Sequence, residues 1–283
     1  VGGLVGENGG TVSTSSASGN VTGIGYDYSD VGGLVGENGG TVSTSSASGN
    51  VTGSGDYSGV GGLVGQNYGT VSTSSASGAV NATGSGLYAG VGGLVGDNDE
   101  GAVSNSSASG NVTGPDEVGG LVGHNDEGAV STSSASGNVT GASTVGGLVG
   151  HNDEGAVSNS SASGAVSGTS EFGNVGGLVG GNGGTVSTSS ASGNVTGSDS
   201  ANVGGLVGDN DEGAVSTSSA SGNVTGSGDY SDVGGLVGGN YEGTVSNSSA
   251  SGNVTGSNNV GGLVGDNDEG AVSNSSASGN VTG

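Results

Sequence analysis

The chain has 283 residues, 72 of them glycine and one proline, and its glycines do not recur at every third position, which excludes a collagen helix. Its 25 acidic residues face no lysine or arginine, giving a formal net charge of −25, so nothing in it can neutralise phosphate, and nucleic acid and anionic membrane surfaces are excluded as partners. Cysteine is absent, which removes disulfides and thiolate metal sites, and no stretch approaches the ~20 apolar residues of a membrane span.

Order is nevertheless written into the chain. The string V-G-G-L-V-G begins at Val1, Val31, Val60, Val91, Val118, Val145, Val175, Val203, Val233 and Val260, ten copies spaced by 27 to 31 residues. A period of that size marks a solenoid or a propeller, and a four-stranded blade usually needs about 40 residues or more. The spacing therefore predicts an all-β fold, a β-solenoid of ten coils of about 28 residues, forming one repeat domain over 1–283. A single copy has too few Val and Leu side chains to offset the ordering of its backbone, so the coils must stack to fold. Length varies only after the asparagine of V-G-G-L-V-G-x-N and in the linkers between copies, as expected for loops on fixed corners of a rigid frame. Because the chain opens and closes on repeat boundaries, it reads as a segment of a longer polypeptide or as a processed subunit.

Along one copy, the first element is V-G-G-L-V-G. Leu4 has one strand parity and Val1 and Val5 the other, so a bend at the Gly-Gly pair is expected to turn both inward; without it one apolar row would face outward as a lateral contact stripe. Next comes an asparagine present in every copy, Asn8, Asn38, Asn67, Asn98, Asn125, Asn152, Asn182, Asn210, Asn240 and Asn267, expected to stack as a ladder of amides that seals the turn. Val12 then fills the core from a short strand. In the last element, Ser15 to Thr22, alternation places Ser15, Ala17, Gly19 and Val21 inward and Ser16, Ser18, Asn20 and Thr22 outward on one predicted strand.

V-G-G-L-V-G-x-N followed by G-x-V-S-x-S-x-A-x-G-x-V resembles the GLUG repeat, and the resemblance covers all ten copies. It implies a secreted or surface-anchored microbial protein, adhesin-like, in which the repeat serves as stalk or binding module. The chain departs from the family at Ser16, where an aromatic residue is common, which implies a slimmer or differently packed core.

Three D-N-D-E-G corners offer oxygen ligands of the kind Ca²⁺ prefers: Asp97, Asp99 and Glu100; Asp209, Asp211 and Glu212; Asp266, Asp268 and Glu269. They match neither an EF-hand loop nor a calcium-binding nonapeptide repeat, and a solvated acidic turn is the competing reading. His124 and His151 share one position on consecutive copies, where a transition-metal pair competes with polar turn residues. N-V-T sequons at Asn20, Asn50, Asn111, Asn138, Asn194, Asn223, Asn253 and Asn280 would form an outward row open to partial glycosylation, and further sequons sit at Asn81, Asn105, Asn159, Asn247 and Asn274. Catalysis has little foothold: there is no cysteine, lysine or arginine, and the serines are repetitive without a partnered base.

The expectation is an acidic, extracellular structural or adhesive rod that is no enzyme and needs no cofactor beyond Ca²⁺ at those corners. Its partners would be further copies, end to end or laterally, or glycans and cell surfaces. In the alternative, it is a carbohydrate- or cation-binding adhesin module whose loop tyrosines, Tyr26, Tyr28, Tyr57, Tyr88 and Tyr230, contact the ligand. The absence of basic residues also fits a saline habitat.

Overall fold

The computed structural model of the chain describes residues 1–24, 30–54, 59–83, 90–198 and 201–283. Among these residues the only regular structure is β, in short strands that stack into five parallel sheets, one strand per coil in each. In the second copy the strands are Val31–Gly32, Val35–Asn38, Thr41–Ser43, Ser46–Ala47 and Val51–Gly53. Each lies directly on its equivalent: Val35 pairs with Val64, Val71 with Val42, and Ala76 with Ala47. Identical residues therefore form columns along the rod, which is what an in-register repeat imposes on a parallel ladder.

Ten copies close about nine turns instead of the expected ten coils. A turn is complete only when the chain returns to the sheet it left, so ten copies make nine returns. The V-G sheet has nine strands where the other four have ten, because in the first copy Gly2 makes only an isolated bridge to Gly32. Nine steps of about 4.8 Å give a rod about 43 Å long.

The Gly-Gly bend forms as its sequence requires. Val31 and Gly32 end one strand, the chain bends at Gly33 and Leu34, and the next strand starts at Val35. A Cβ on Gly32 would overlap the Val35 carbonyl oxygen, so the bend tolerates nothing larger than glycine at that position. Leu34 and Val35 both donate their N–H to the Leu63 carbonyl oxygen, at 2.9 Å each. The bend leaves Val31, Leu34 and Val35 all buried, Val31 apart from the other two, and among the described residues no apolar stripe is left outside.

Two apolar columns result. The larger contains the leucines, the second valine of each V-G-G-L-V-G, the T-V-S valine and the S-A alanine; the smaller contains the first valine and the valine of N-V-T. The strand expected over Ser15 to Thr22 is split in two, Ser16–Ala17 and Val21–Gly23, because the chain bends between them to turn a corner. The inward alternation survives the bend: in the second copy Ser45, Ala47, Gly49 and Val51 are buried and Ser48 and Asn50 exposed. Ser46, the counterpart of Ser16, is only half-buried and faces away from the core. In this chain that position packs no core, so serine there does not slim it.

A second corner is held by backbone strain. The residue after each T-V-S or A-V-S, from Thr14 and Thr44 to Asn247 and Asn274, has φ of 49–50° in all ten copies. Six of these are threonines, whose branched Cβ fits the left-handed region poorly. The serine that follows repays the turn with a ladder: Ser45 donates its Oγ to the Ser43 carbonyl at 2.8 Å, and its backbone N–H reaches Ser74 Oγ on the next coil at 3.1 Å.

Candidate functional site

Chemistry-bearing side chains collect where the strand ending in the conserved asparagine meets the acidic corner. The asparagine points inward and the residue before it outward. Inside, the amides form the expected ladder: Asn98 Nδ2 donates to Asn125 Oδ1 at 2.7 Å and Asn125 Nδ2 to Asn152 Oδ1 at 2.7 Å. The second amide hydrogen goes to a corner carbonyl, as from Asn125 to Gly128 at 3.0 Å, so both donors are used and the column is buried. This asparagine is structural.

Outside, the residue before the asparagine stacks as a second column. Asp97 pairs in register with His124, and His124 with His151; Gly181 and Asp209 follow. Beside it runs the column of last linker residues, which reaches side chains on this face. Glu117 Oε2 lies 3.0 Å from His124 Nδ1 of the same copy, Asn174 Nδ2 donates to Asp209 Oδ2 of the next at 3.3 Å, and the hydroxyl of Tyr241, which follows the asparagine of its copy, donates to Asp232 Oδ2 at 3.3 Å. This linker column went unread in the sequence, although a polar residue immediately before V-G-G-L-V-G at fixed offset from the outward position was its signal.

Burial makes this face electrostatically uneven. Burial pushes the Asp97 carboxyl up to about 7, against the lowering effect of His124. Burial alone would lower His124, but the hydrogen bond and charge of Glu117, with Asp97 and Asp126, raise it to about 9. His151 is lowered, first by burial. Burial, with Asp211 nearby, raises Asp209 to about 6 although Asn174 opposes it. Asp97 Oδ1, Glu117 Oε2, His124 Nε2 and Asp209 Oδ1 are buried atoms without a well-formed hydrogen bond, the Glu117 oxygen standing near His124 Nδ1 as a charge partner. Asp97 and His124 line a cleft of about 190 Å³ with Gln66, Asn98, Asp99 and Asp126. A second notch, about 270 Å³, opens where Gly181 and Gly183 lack side chains between His151, Asp153 and Glu154 on one side and Asp209, Asp211 and Glu212 on the other.

The three expected cation corners do not meet one another. Asp97 and Asp99 extend from one face of the strand Val95–Asp99, while Glu100 sits at the turn with φ 53°. Asp209, Asp211 and Glu212 lie four coils further along, and Asp266, Asp268 and Glu269 are separated from them by the coil carrying Gly239, Tyr241 and Glu242. Among the described residues, no three His, Asp or Glu side chains converge as a ready metal shell. The histidine rings meet edge to face, centroids 5.6 Å apart at 84°, with His124 Nδ1 turned to Glu117.

The N-V-T asparagines do form an exposed row, but their side chains are also in use. Asn20 Oδ1 accepts the Asn50 backbone N–H at 3.0 Å, and Asn111 Oδ1 that of Asn138 at 3.0 Å, so the row is a second ladder across coils. Asn81 lies exposed on the strand Val80–Ala82, and Asn105, Asn159, Asn247 and Asn274 occupy the left-handed corner. Tyr26, Tyr28, Tyr57 and Tyr88 lie outside the described residues; Tyr230 is exposed.

No curated protein and no solved structure matches the chain. The family model for the GLUG motif matches residues 27–52, 56–81, 88–113, 115–140, 141–167, 229–255 and 256–282. The copies starting at Val1, Val175 and Val203 fall outside these matches, yet the last two share all five sheets with their neighbours and the first shares four and bridges to the fifth. With more than half of its length matched and every coil built on the motif, the chain belongs to the GLUG-motif family.

Proposed function

We propose that this protein is an extracellular or cell-surface rod of a microbial surface protein, a stalk or filament segment that works by length and by self-association and carries out no catalysis. The observation that supports this most is the unbroken stacking of identical residues, with buried asparagine, serine and outer asparagine ladders repeated from coil to coil. Such a frame is stiff along its axis, and it relegates variation to the corners and linkers. Electron microscopy and light scattering over a concentration series test this: rods that lengthen with concentration are expected, and a discrete monomer throughout would overturn the self-association.

A second reading, an adhesin module that binds cations or glycans through its loops, is favoured by the acidic face and by the exposed Tyr230. Ca²⁺ at Asp97, Asp99 and Glu100 and at the two equivalent corners is part of that reading. A glycan array and a calcium titration of the intact rod test it, and absence of binding in both would end it.

A further inference from the structure

We propose that Asn38 and Asn182 are deamidation sites that the stacked fold keeps shut and that the opening of a coil exposes. Of the ten ladder asparagines, Asn8, Asn38 and Asn182 precede a glycine, and the last two have a coil stacked on either side. In an Asn-Gly pair no side chain shields the approach of the glycine nitrogen to the asparagine Cγ, and glycine gives the backbone the freedom to bring the two together. The reaction needs only water. The Gly39 nitrogen forms a bond to Asn38 Cγ, the Cγ–Nδ2 bond breaks, and the side-chain nitrogen leaves as ammonia, carrying the proton from the Gly39 amide. Water then adds across one imide C–N bond of the five-membered ring, which leaves aspartate or, where the other bond opens, isoaspartate.

The fold holds both reacting groups. The Gly39 N–H donates to the Asn8 carbonyl on the preceding coil at 2.9 Å, and the Gly183 N–H to the Asn152 carbonyl at 2.9 Å, so neither nitrogen is free to lose its proton. The amide under attack is fixed as well. Asn38 Nδ2 donates to Asn67 Oδ1 at 2.7 Å and its Oδ1 accepts from Asn8 at 2.7 Å; Asn182 has the same contacts with Asn210 and Asn152, at 2.7 and 2.8 Å. Both asparagines are buried, away from the water that opens the ring. These contacts all run between coils, so local opening of one corner releases them together. The backbone does not demand glycine at either place. A Cβ on Gly39 would find only the Asn8 carbonyl oxygen within 4 Å, at 3.9 Å, and one on Gly183 would meet nothing nearer than Asp153 Oδ1 at 3.4 Å. Seven other copies carry tyrosine or aspartate there, from Tyr68 to Asp268. The product blocks reclosure: aspartate sets a charge in a dry column and strands the partners of the lost donors, and isoaspartate adds a backbone atom at a corner whose register the neighbouring coils fix. A coil that opens for long enough is marked irreversibly.

The test uses the full chain, held in mild alkali with and without denaturing urea, digested after glutamate and read site by site by mass spectrometry. In urea Asn38 and Asn182 are expected to convert ahead of Asn67 and Asn125, which precede tyrosine and aspartate. In native buffer both should convert at least tenfold more slowly than in urea. Gly39→Ala and Gly183→Ala, which the fold accommodates, should each slow the urea reaction at its own asparagine alone. After dilution from urea, the aged parent should regain no more than half of the circular dichroism that the equally aged double variant regains. Conversion in native buffer as fast as in urea, no lead of Asn38 and Asn182 over Asn67 and Asn125, or equal recovery of aged parent and double variant would overturn the proposal.

Discussion

The buried asparagine shows how one side chain can be indispensable without touching a ligand. Replacing Asn125 by aspartate keeps its shape but removes the donors to Asn152 Oδ1 and Gly128 O and sets a charge in a dry column. The variant should lose on the order of 3 kcal/mol, since each stranded buried partner costs roughly 1–3 kcal/mol. Asn111→Ala, which removes one exposed bond from the outer ladder, should lose under about 1 kcal/mol. Urea melts of both check this, and equal losses would contradict the division into buried and surface ladders. Asp209 makes the opposite case. Its folded pKa is raised from 3.8 to about 6, so the folded state holds its proton more tightly than the unfolded chain. Its stabilising contribution is complete below pH 3.8 and is lost as pH rises through about 6. Asp209→Asn, whose Oδ1 can still accept from Asn174, should therefore be more stable than the parent by about 1–2 kcal/mol at pH 7.5 and no different at pH 3.5. Denaturant melts at the two pH values decide it.

At the scale of a strand and its corner, stacking decides what a position tolerates. Gly110 and Gly19 hold the same place in the motif, but a Cβ on Gly110 would meet the Gly78 carbonyl of the adjacent coil, whereas a Cβ on Gly19 meets nothing within 4 Å. Gly110→Ala should cost several kcal/mol or prevent folding, and Gly19→Ala should be neutral in this chain. Thermal melting of the two variants reads the difference. The alternation of inward and outward residues in S-S-A-S-G-N-V-T was legible in the sequence because small and polar residues alternate there with period two. Its division into two strands was not: the bend between Ala47 and Val51 keeps the burial pattern unchanged, so hydrophobic patterning carries no trace of it. The threonines at φ near 50° were equally illegible, because threonine usually signals extended strand.

For the molecule as a whole, each coil contacts its neighbours through the same ladders, so removing a complete repeat leaves every remaining interface a native one. Deleting residues 118–144 should give a folded rod shorter by about 4.8 Å, measurable by small-angle scattering, whereas deleting half that segment should break the register and unfold it. Charge acts on the same scale. With a net charge of −25 and acidic corners stacked coil on coil, as where Asp99 pairs with Asp126, the rod should melt at higher temperature in 1 M NaCl than in 50 mM. Scanning calorimetry tests this, and a melting temperature indifferent to salt would show that self-repulsion is unimportant. Tm should rise by about 2 °C for each 1 kcal/mol that screening recovers.

Period, motif and the position of every glycine were enough to determine a β-solenoid with a thin Val, Leu and Ala core and an asparagine-sealed turn. A repeat leaves the chain one self-consistent way to bury identical faces. The tertiary structure alone decided how neighbouring loops meet. The linker residue Glu117 reaches His124 of its own copy, Asn174 reaches Asp209 of the next, and Asp97 is left with an unpaired buried oxygen, arrangements that depend on how each linker folds back beside the stacked strands. Motif reading assigned the acidic corners to themselves. Stacking placed Asp97 beside His124, a pairing across 27 residues of sequence that the register of the motif sets whatever the length of the intervening linker.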